Sequence, residues 1–173
     1  MVLGFAHCEF VTLQTTFLNT MADTMAPFPR IFFRYVEPMM ITFGSVNLMF
    51  SGAAGASTYL SQSPHPTMAT EHFLALQGGN MMLLAAMLLI TVMWTSNEIK
   101  TIRFTIMALA ISDIPHWIFG LWCLGPLAFE PSSWSTEMKG YMGVPAVTFL
   151  IKVAYLLGWL GRDQVTEKVK KEL

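Results

Sequence analysis

Residues 102–124 read IRFTIMALAISDIPHWIFGLWCL, an apolar run with Asp113 and His116 near its middle. As a helix, which rises about 1.5 Å per residue, a run of this length crosses the roughly 30 Å hydrocarbon core of a bilayer. Lipid offers no partners to exposed backbone polar groups, so a helix is the conformation expected here. The stretch therefore predicts a transmembrane helix that carries ionisable side chains at depth.

The composition extends this prediction to the whole chain. Only 12% of the 173 residues are charged, against about a quarter in an ordinary soluble domain, and 54% are hydrophobic. In water such a chain would expose large apolar patches, whereas a bilayer covers them. The lipid bilayer is therefore the expected partner. The formal net charge of −1 argues against a nucleic-acid partner, which requires a basic face.

Three further apolar runs have the length of a membrane span, and they lie at 31–54, 72–95 and 142–160. Together with residues 102–124, which form the third of the four spans in chain order, they predict an all-α fold, an integral membrane four-helix bundle. Within the second span, Gly78 and Gly79 are expected to let two helices pack closely.

The bundle is expected to occupy residues 30–163. Pro27 and Pro29 mark a break before it, so residues 1–29 are predicted to form a loose N-terminal tail. Residues 164–173 are predicted to form a basic cytosolic tail.

Basic residues predict the orientation of the bundle. They cluster before or within the start of the first span, in the second connection and after the fourth span, whereas the connection 55–71 has none. The positive-inside rule then places both termini in the cytosol. The clustered residues are Arg30, Arg34, Lys100, Arg103, Arg162, Lys168, Lys170 and Lys171.

The chain ends Lys170-Lys171-Glu172-Leu173. In a cytosolic tail, these two lysines resemble the dilysine signal for retrieval to the endoplasmic reticulum, which is the predicted location. The alternative is an ordinary basic anchor at the membrane surface.

Ionisable side chains inside a membrane are costly, and they indicate function by default. Asp113, His116 and Trp117 share one face of the third span, at i, i+3 and i+4. Lys152 lies near the middle of the fourth span, at a depth comparable with Asp113, and the two are expected to face each other. Glu37 lies within the first two turns of the first span, so we expect it to be shallower.

The second span adds Gln77 and Asn80 at i, i+3. Polar side chains from all four helices would then converge on a pocket able to move protons. We expect Glu37 to be the proton donor and Asp113 the carboxylate base, with His116 as a further catalytic candidate. The residues expected to bind or orient a substrate are Gln77, Asn80, Lys152, Trp117 and Tyr155.

A structural interpretation is open for the same residues. Asp113 and Lys152 would form a buried ion pair that fixes helix register, and Glu37 would pair with Arg34 at i, i+3. The two amide side chains of the second span would join helices by hydrogen bonds. No metal or redox cofactor is expected in either case, because the sequence has no cluster of ligands with metal-binding spacing.

Across residues 29–163 the chain resembles a small family of fungal integral membrane proteins. The resemblance rests on RIFFRYVEP at 30–38, on Gln77 with Asn80, on Asp113-x-x-His116, and on the basic Lys152, where the family pattern has arginine. Proteins of this kind look like those encoded beside polyketide and meroterpenoid pathways, often with flavin monooxygenases that make epoxides. A flavin monooxygenase is therefore an implied pathway partner.

The resemblance implies a membrane-embedded acid–base enzyme of fungal secondary metabolism that opens an epoxide of a hydrophobic polyketide or terpenoid, by hydrolysis or cyclisation. A double-bond isomerase or terpene cyclase would use the same acids, in the manner of EXPERA-type isomerases and membrane meroterpenoid cyclases. Trp117, Trp122, Phe119 and Tyr155 could then line a site for cationic intermediates. The alternative for these rings is a membrane-interface belt or helix packing. A lipid-binding or scaffold subunit without chemistry is the alternative from another class.

Overall fold

The computed structural model describes residues 25–57, 68–96 and 98–161, which form helices and no strand. The first helix begins as α1 (Pro27–Ile31), continues through a π-helical turn (Phe32–Val36) and runs on as α2 (Glu37–Ser57). The next long helices are α3 (Ala69–Thr95), α4 (Ile99–Leu124) and α5 (Thr136–Leu156). Two 3₁₀ turns, Gly125–Phe129 and Pro131–Ser133, connect α4 to α5. The predicted all-α fold is confirmed.

The helix ends differ from the predicted spans for local reasons. The first helix starts at Pro27, because a proline in the first turn lacks only an N–H that would have no helical partner. The predicted tail boundary at residue 29 is therefore wrong, and Met25 is already buried in the core. The fourth helix starts at Thr136, where the Ser135 hydroxyl accepts a hydrogen bond from the Met138 N–H at 3.1 Å. Residues 1–24 and 162–173, with the dilysine tail, lie outside the described residues.

Two helical stretches, Ala69–Thr95 and Ile99–Phe129, are long and apolar enough to cross a membrane. The outward faces of all four long helices also carry large exposed apolar side chains, among them Phe43, Phe73, Phe104 and Leu150. A surface of this kind is unfavourable in water and suits lipid or a protein partner.

The contact between α2 and α3 is close because small residues meet there. The Ser45 hydroxyl is fully buried and donates a hydrogen bond to the Gly79 carbonyl oxygen at 2.6 Å. A Cβ on Gly79 would collide with the Met49 side chain and lie 3.1 Å from the Ser45 carbonyl oxygen. The predicted close packing at Gly78 and Gly79 is thus confirmed.

An apolar core joins all four helices at the end where the first helix begins. Its buried members are Met25, Phe32, Phe33, Leu89, Met93, Ile102, Ile106 and Tyr155. The rings of Phe33 and Tyr155 pack edge to face with centroids 5.5 Å apart. This contact aligns the first helix with α5, so that Glu37, four residues after Phe33, comes level with Lys152, three residues before Tyr155.

Gly79→Ala should destabilise the protein by about 1–3 kcal/mol, because the added methyl overpacks the α2–α3 contact. Gly143→Ala is the matched control, since a Cβ there meets no atom within 4 Å. Alanine is favoured over glycine in a helix by about 1 kcal/mol, so this control should be neutral or stabilising. The midpoints of thermal unfolding in detergent measure both effects. Equal midpoints for the two variants would contradict the close contact.

Candidate functional site

Three charged side chains from three helices meet inside the bundle. The Lys152 Nζ atom lies 2.7 Å from Glu37 Oε1 and 2.7 Å from Asp113 Oδ2. The side chains of Lys152 and Glu37 are 3% and 2% exposed, and that of Asp113 is 18% exposed. We call Glu37, Asp113 and Lys152 the ion-pair triad. Within the described residues, the triad is closed on the side of the first helix and more open beside Asp113.

The expected pairing of Asp113 with Lys152 is confirmed, whereas the shallower position expected for Glu37 is wrong. Glu37 follows Pro27 by ten residues, about 15 Å along the helix, which brings it to the depth of the other two charges. The predicted span began four residues later, at Ile31, and so placed Glu37 too near the end.

The π-helical turn explains why Glu37 does not pair with Arg34. The Glu37 N–H bonds to the Phe32 carbonyl five residues earlier instead of four, which rotates the following residues around the helix axis. The Arg34 guanidinium instead stacks on Trp94 of α3, with its Cζ atom 3.8 Å from the ring centroid. Sequence reasoning missed this contact because nothing in the local pattern links Arg34 to a residue on another helix.

The triad contains two acidic groups and one basic group. Two carboxylates and one ammonium sum to −1 when all three are ionised, and one added proton makes the site neutral. Glu37 Oε2 is enclosed and has no hydrogen-bond partner among the described residues. Glu37 Oε2 can therefore carry a proton, because no other described side chain is hydrogen-bonded to it. Within the same residues, no group of three or more His, Cys, Asp and Glu side chains is placed to hold a metal ion.

His116 and Trp117 extend the site by one turn of α4 beyond Asp113. The His116 ring packs on Tyr141, with centroids 4.6 Å apart, and the Trp117 ring lies 6.4 Å from that of Phe149. His116 Nε2 and Trp117 Nε1 are enclosed and have no hydrogen-bond partner in the described part of the chain. Both residues thus lie about one helical turn from Asp113, on the side away from the apolar core, and their predicted roles stay a prediction.

Helix α3 contributes no polar side chain to the triad among the described residues. The prediction that polar side chains from all four helices converge is therefore wrong. Gln77 and Asn80 are exposed. They lie at the level of the Ser45–Gly79 contact, and Ser45 is eight residues, about 12 Å, beyond Glu37 along the helix. Their i, i+3 spacing indicated a shared face, but it could not indicate the direction in which that face points.

The other aromatic side chains expected around the site lie elsewhere. Phe119 and Trp122 are 64% and 80% exposed and point away from the bundle, so the predicted lining by these two rings is wrong. Tyr155 is buried in the apolar core, on the opposite side of Lys152 from Trp117. Of the four aromatic residues named from the sequence, Trp117 lies one helical turn from Asp113 and packs near Phe149 and against the buried side chains of Leu124, Met138 and Met142.

Fold and site together define a class of protein. In the described residues, long helices with apolar outer faces bring together two acids and one base inside the bundle. The chain belongs to the family described as "Domain of unknown function (DUF7704)", whose model matches residues 22–162. This match includes the four long helices and all three members of the triad. No curated protein and no solved structure matches the chain. The resemblance to fungal pathway proteins stays a prediction.

Lys152→Met should destabilise the protein by about 3–5 kcal/mol, because it leaves two buried carboxylates without their cation. Protein level in the membrane fraction and the midpoint of thermal unfolding in detergent measure the loss. Lys139→Met, at an exposed position of α5, is the control that removes the same group without this consequence.

The triple variant Glu37→Gln, Asp113→Asn, Lys152→Met removes all three charges and should recover much of the lost stability. Equal stability of Lys152→Met and Lys139→Met would show that the triad is not the electrostatic centre of the fold.

Proposed function

We propose that this protein is a membrane-embedded acid–base enzyme that opens an epoxide in a hydrophobic polyketide or terpenoid, by hydrolysis or by ring closure. The observation that carries the proposal is the meeting of two carboxylates from different helices on one buried ammonium. Epoxide opening needs a proton donor at the epoxide oxygen and an acceptor for the proton of the nucleophile. The unpartnered Glu37 Oε2 and the more open Asp113 suit these two roles.

In the proposed reaction, Glu37 carries the proton and donates it to the epoxide oxygen as the C–O bond breaks. The nucleophile is water in hydrolysis, or a hydroxyl of the same substrate in ring closure. It attacks the carbon of the breaking bond, and its proton passes to Asp113 or His116. Transfer of that proton back to Glu37 restores the starting state. The net change is addition of one water or an isomerisation, so no redox equivalent is consumed.

The triad also suits this chemistry through Lys152. Its ammonium contacts one oxygen of each carboxylate, so it stabilises whichever of the two is ionised at a given step. A proton can therefore move between the acids without leaving a buried negative charge unpaired. Placement of the same groups in a low-dielectric bundle makes each of these interactions stronger than it would be in water.

We further propose that all four long helices span the membrane with both termini in the cytosol. The two apolar helices long enough to cross a membrane support this arrangement. Exposed aromatic rings at the two ends of the bundle support it as well, since such rings favour membrane interfaces. They are Trp94 and Trp159 at one end, and Trp122 and Phe129 at the other. A location in the endoplasmic reticulum rests on the C-terminal lysines, and a role in fungal secondary metabolism rests on the family resemblance.

The topology can be tested with glycosylation-site tags. A tag inserted next to Ser61, in the connection without basic residues, should be glycosylated, whereas a tag at the C-terminus should not. Modification is measured as a mobility shift that endoglycosidase reverses. Glycosylation of the C-terminal tag would overturn the proposed orientation and, with it, the dilysine interpretation.

Glu37→Gln and Asp113→Asn should each lower epoxide opening by about 10²–10⁴-fold, because the amide keeps the shape but does not exchange a proton. Each variant retains one carboxylate on Lys152 and hence a neutral ion pair, so the protein level should stay close to wild type. The measurement is made in a host that produces the candidate polyketide or terpenoid epoxide, with protein level and product determined together. Glu130→Gln, an exposed acid between the two 3₁₀ turns, is the matched control.

Accumulated epoxide with normal levels of both variants supports the mechanism. Unchanged product in both single variants at normal protein level would sink it. A product with a shifted double bond, or a carbocycle formed from an alkene, would point to the isomerase or cyclase alternative. A wild-type protein that alters no metabolite, but whose deletion lowers the level of a pathway enzyme, would point to a scaffold subunit.

A further inference from the structure

The Arg34 guanidinium carries a positive charge that no described residue neutralises. Its Cζ atom lies 3.8 Å from the ring centroid of Trp94 and 5.7 Å from that of Tyr35. It makes no ion pair or hydrogen bond with any residue that the structure describes, and its Nε atom is enclosed without a partner. Arginine keeps its charge in proteins, so the partner that completes this contact is an anion.

Two aromatic rings hold the guanidinium in one orientation. Tyr35 and Trp94 pack edge to face, with centroids 5.7 Å apart, and both side chains are exposed. Stacking on a ring face leaves the edge of a guanidinium free, and the terminal nitrogens of Arg34, unlike its Nε atom, are not enclosed. That edge carries paired N–H donors, which match two oxygens of a phosphate. The protein thus presents a fixed pair of donors to an anion outside it.

The position of Arg34 in the bundle indicates which anion this is. Trp94 is the last residue but one of α3, and Arg34 precedes Glu37 by three residues on the first helix. Arg34 therefore lies between the triad and the end of the bundle where Trp94 and Trp159 are exposed. Tryptophan rings favour the boundary between hydrocarbon and headgroups, which is the level of the phospholipid phosphates.

We infer that Arg34, stacked on Trp94, binds the phosphate of an anionic phospholipid where the first helix meets α3. A headgroup with a net negative charge neutralises the guanidinium, whereas a choline headgroup brings an ammonium of its own. The inference rests on the membrane placement given under the proposed function and not on the proposed reaction. None of the three triad side chains takes part in the site.

The test compares two lipids that differ in their headgroups. The full-length protein in detergent micelles is mixed with phosphatidylglycerol or with phosphatidylcholine of the same acyl chains. Native mass spectrometry measures the dissociation constant of the first bound lipid. Wild type should bind phosphatidylglycerol about 10-fold more tightly, the effect of one hydrogen-bonded contact between charged groups.

Arg34→Gln removes the charge and should abolish the preference for phosphatidylglycerol. Arg34→Lys keeps the charge but loses the planar pair of donors, so it should retain only part of the preference. Lys100→Gln is the matched control, because it removes one positive charge from an exposed position at the start of α4, at the same end of the bundle. Its preference should stay close to that of wild type.

Equal affinity of wild type for the two lipids would overturn the site, and this comparison needs no variant to fold. Equal losses in Arg34→Gln and Lys100→Gln would also overturn it, because the preference would then come from overall charge. A third measurement adds inorganic phosphate at the same concentration as phosphatidylglycerol. Displacement of the lipid would identify a free phosphate as the ligand and contradict a lipid site.

The lipid site and the proposed reaction fail separately. Selective lipid binding by a protein that opens no epoxide would leave the site and remove the reaction. Epoxide opening by a protein that binds the two lipids equally would leave the reaction and remove the site.

Discussion

The ammonium of Lys152 sets a condition that three helices must meet together. A buried cation is costly unless carboxylates approach it closely, and Lys152 has two of them at 2.7 Å. One comes from the first helix and the other from α4, while the lysine itself belongs to α5. The relative rotation and height of these helices are therefore constrained by charge, and not only by the shape of their apolar faces. The edge-to-face contact of Phe33 with Tyr155, one turn away, favours the same alignment of the first helix with α5 through apolar packing.

Lysine is well suited to this position for a geometric reason. An ammonium is a compact charge with three donors, so it can bond one oxygen of each of two carboxylates that approach from different directions. A guanidinium, which the family resemblance led us to expect, favours both oxygens of a single carboxylate. The observed arrangement leaves the second oxygen of Glu37 without a partner in the described residues. A purely structural ion pair would be expected to satisfy both oxygens of a buried carboxylate. The unpartnered Oε2 atom of Glu37 therefore favours a reactive role for the triad.

Much of the fold could be predicted from the sequence because each long apolar run has the length and composition of one long helix. The four helices follow from their apolar runs, and the Asp113–Lys152 pair follows from their equal depth. Glu37 was misplaced because its depth depends on where the first helix starts, and a proline pair can end a tail or begin a helix. Gln77, Asn80 and Trp122 were misplaced because spacing along a helix defines a face without giving its direction. The stacking of Arg34 on Trp94 joins distant parts of the chain and left no local signal.

The π-helical turn has a consequence for how the site can be lost or changed in relatives of this chain. Its five residues, Phe32–Val36, include none of the triad, yet they determine where Glu37 points. Each residue advances a helix by about 100° around its axis. Deletion of one apolar residue from this segment would convert it into an ordinary α-helix and rotate Glu37 away from Lys152. Every charged side chain would still be present in the sequence. A sequence alignment that compared only the charged residues would then treat two proteins as equivalent. In one of them Glu37 would contact Lys152, and in the other it would not.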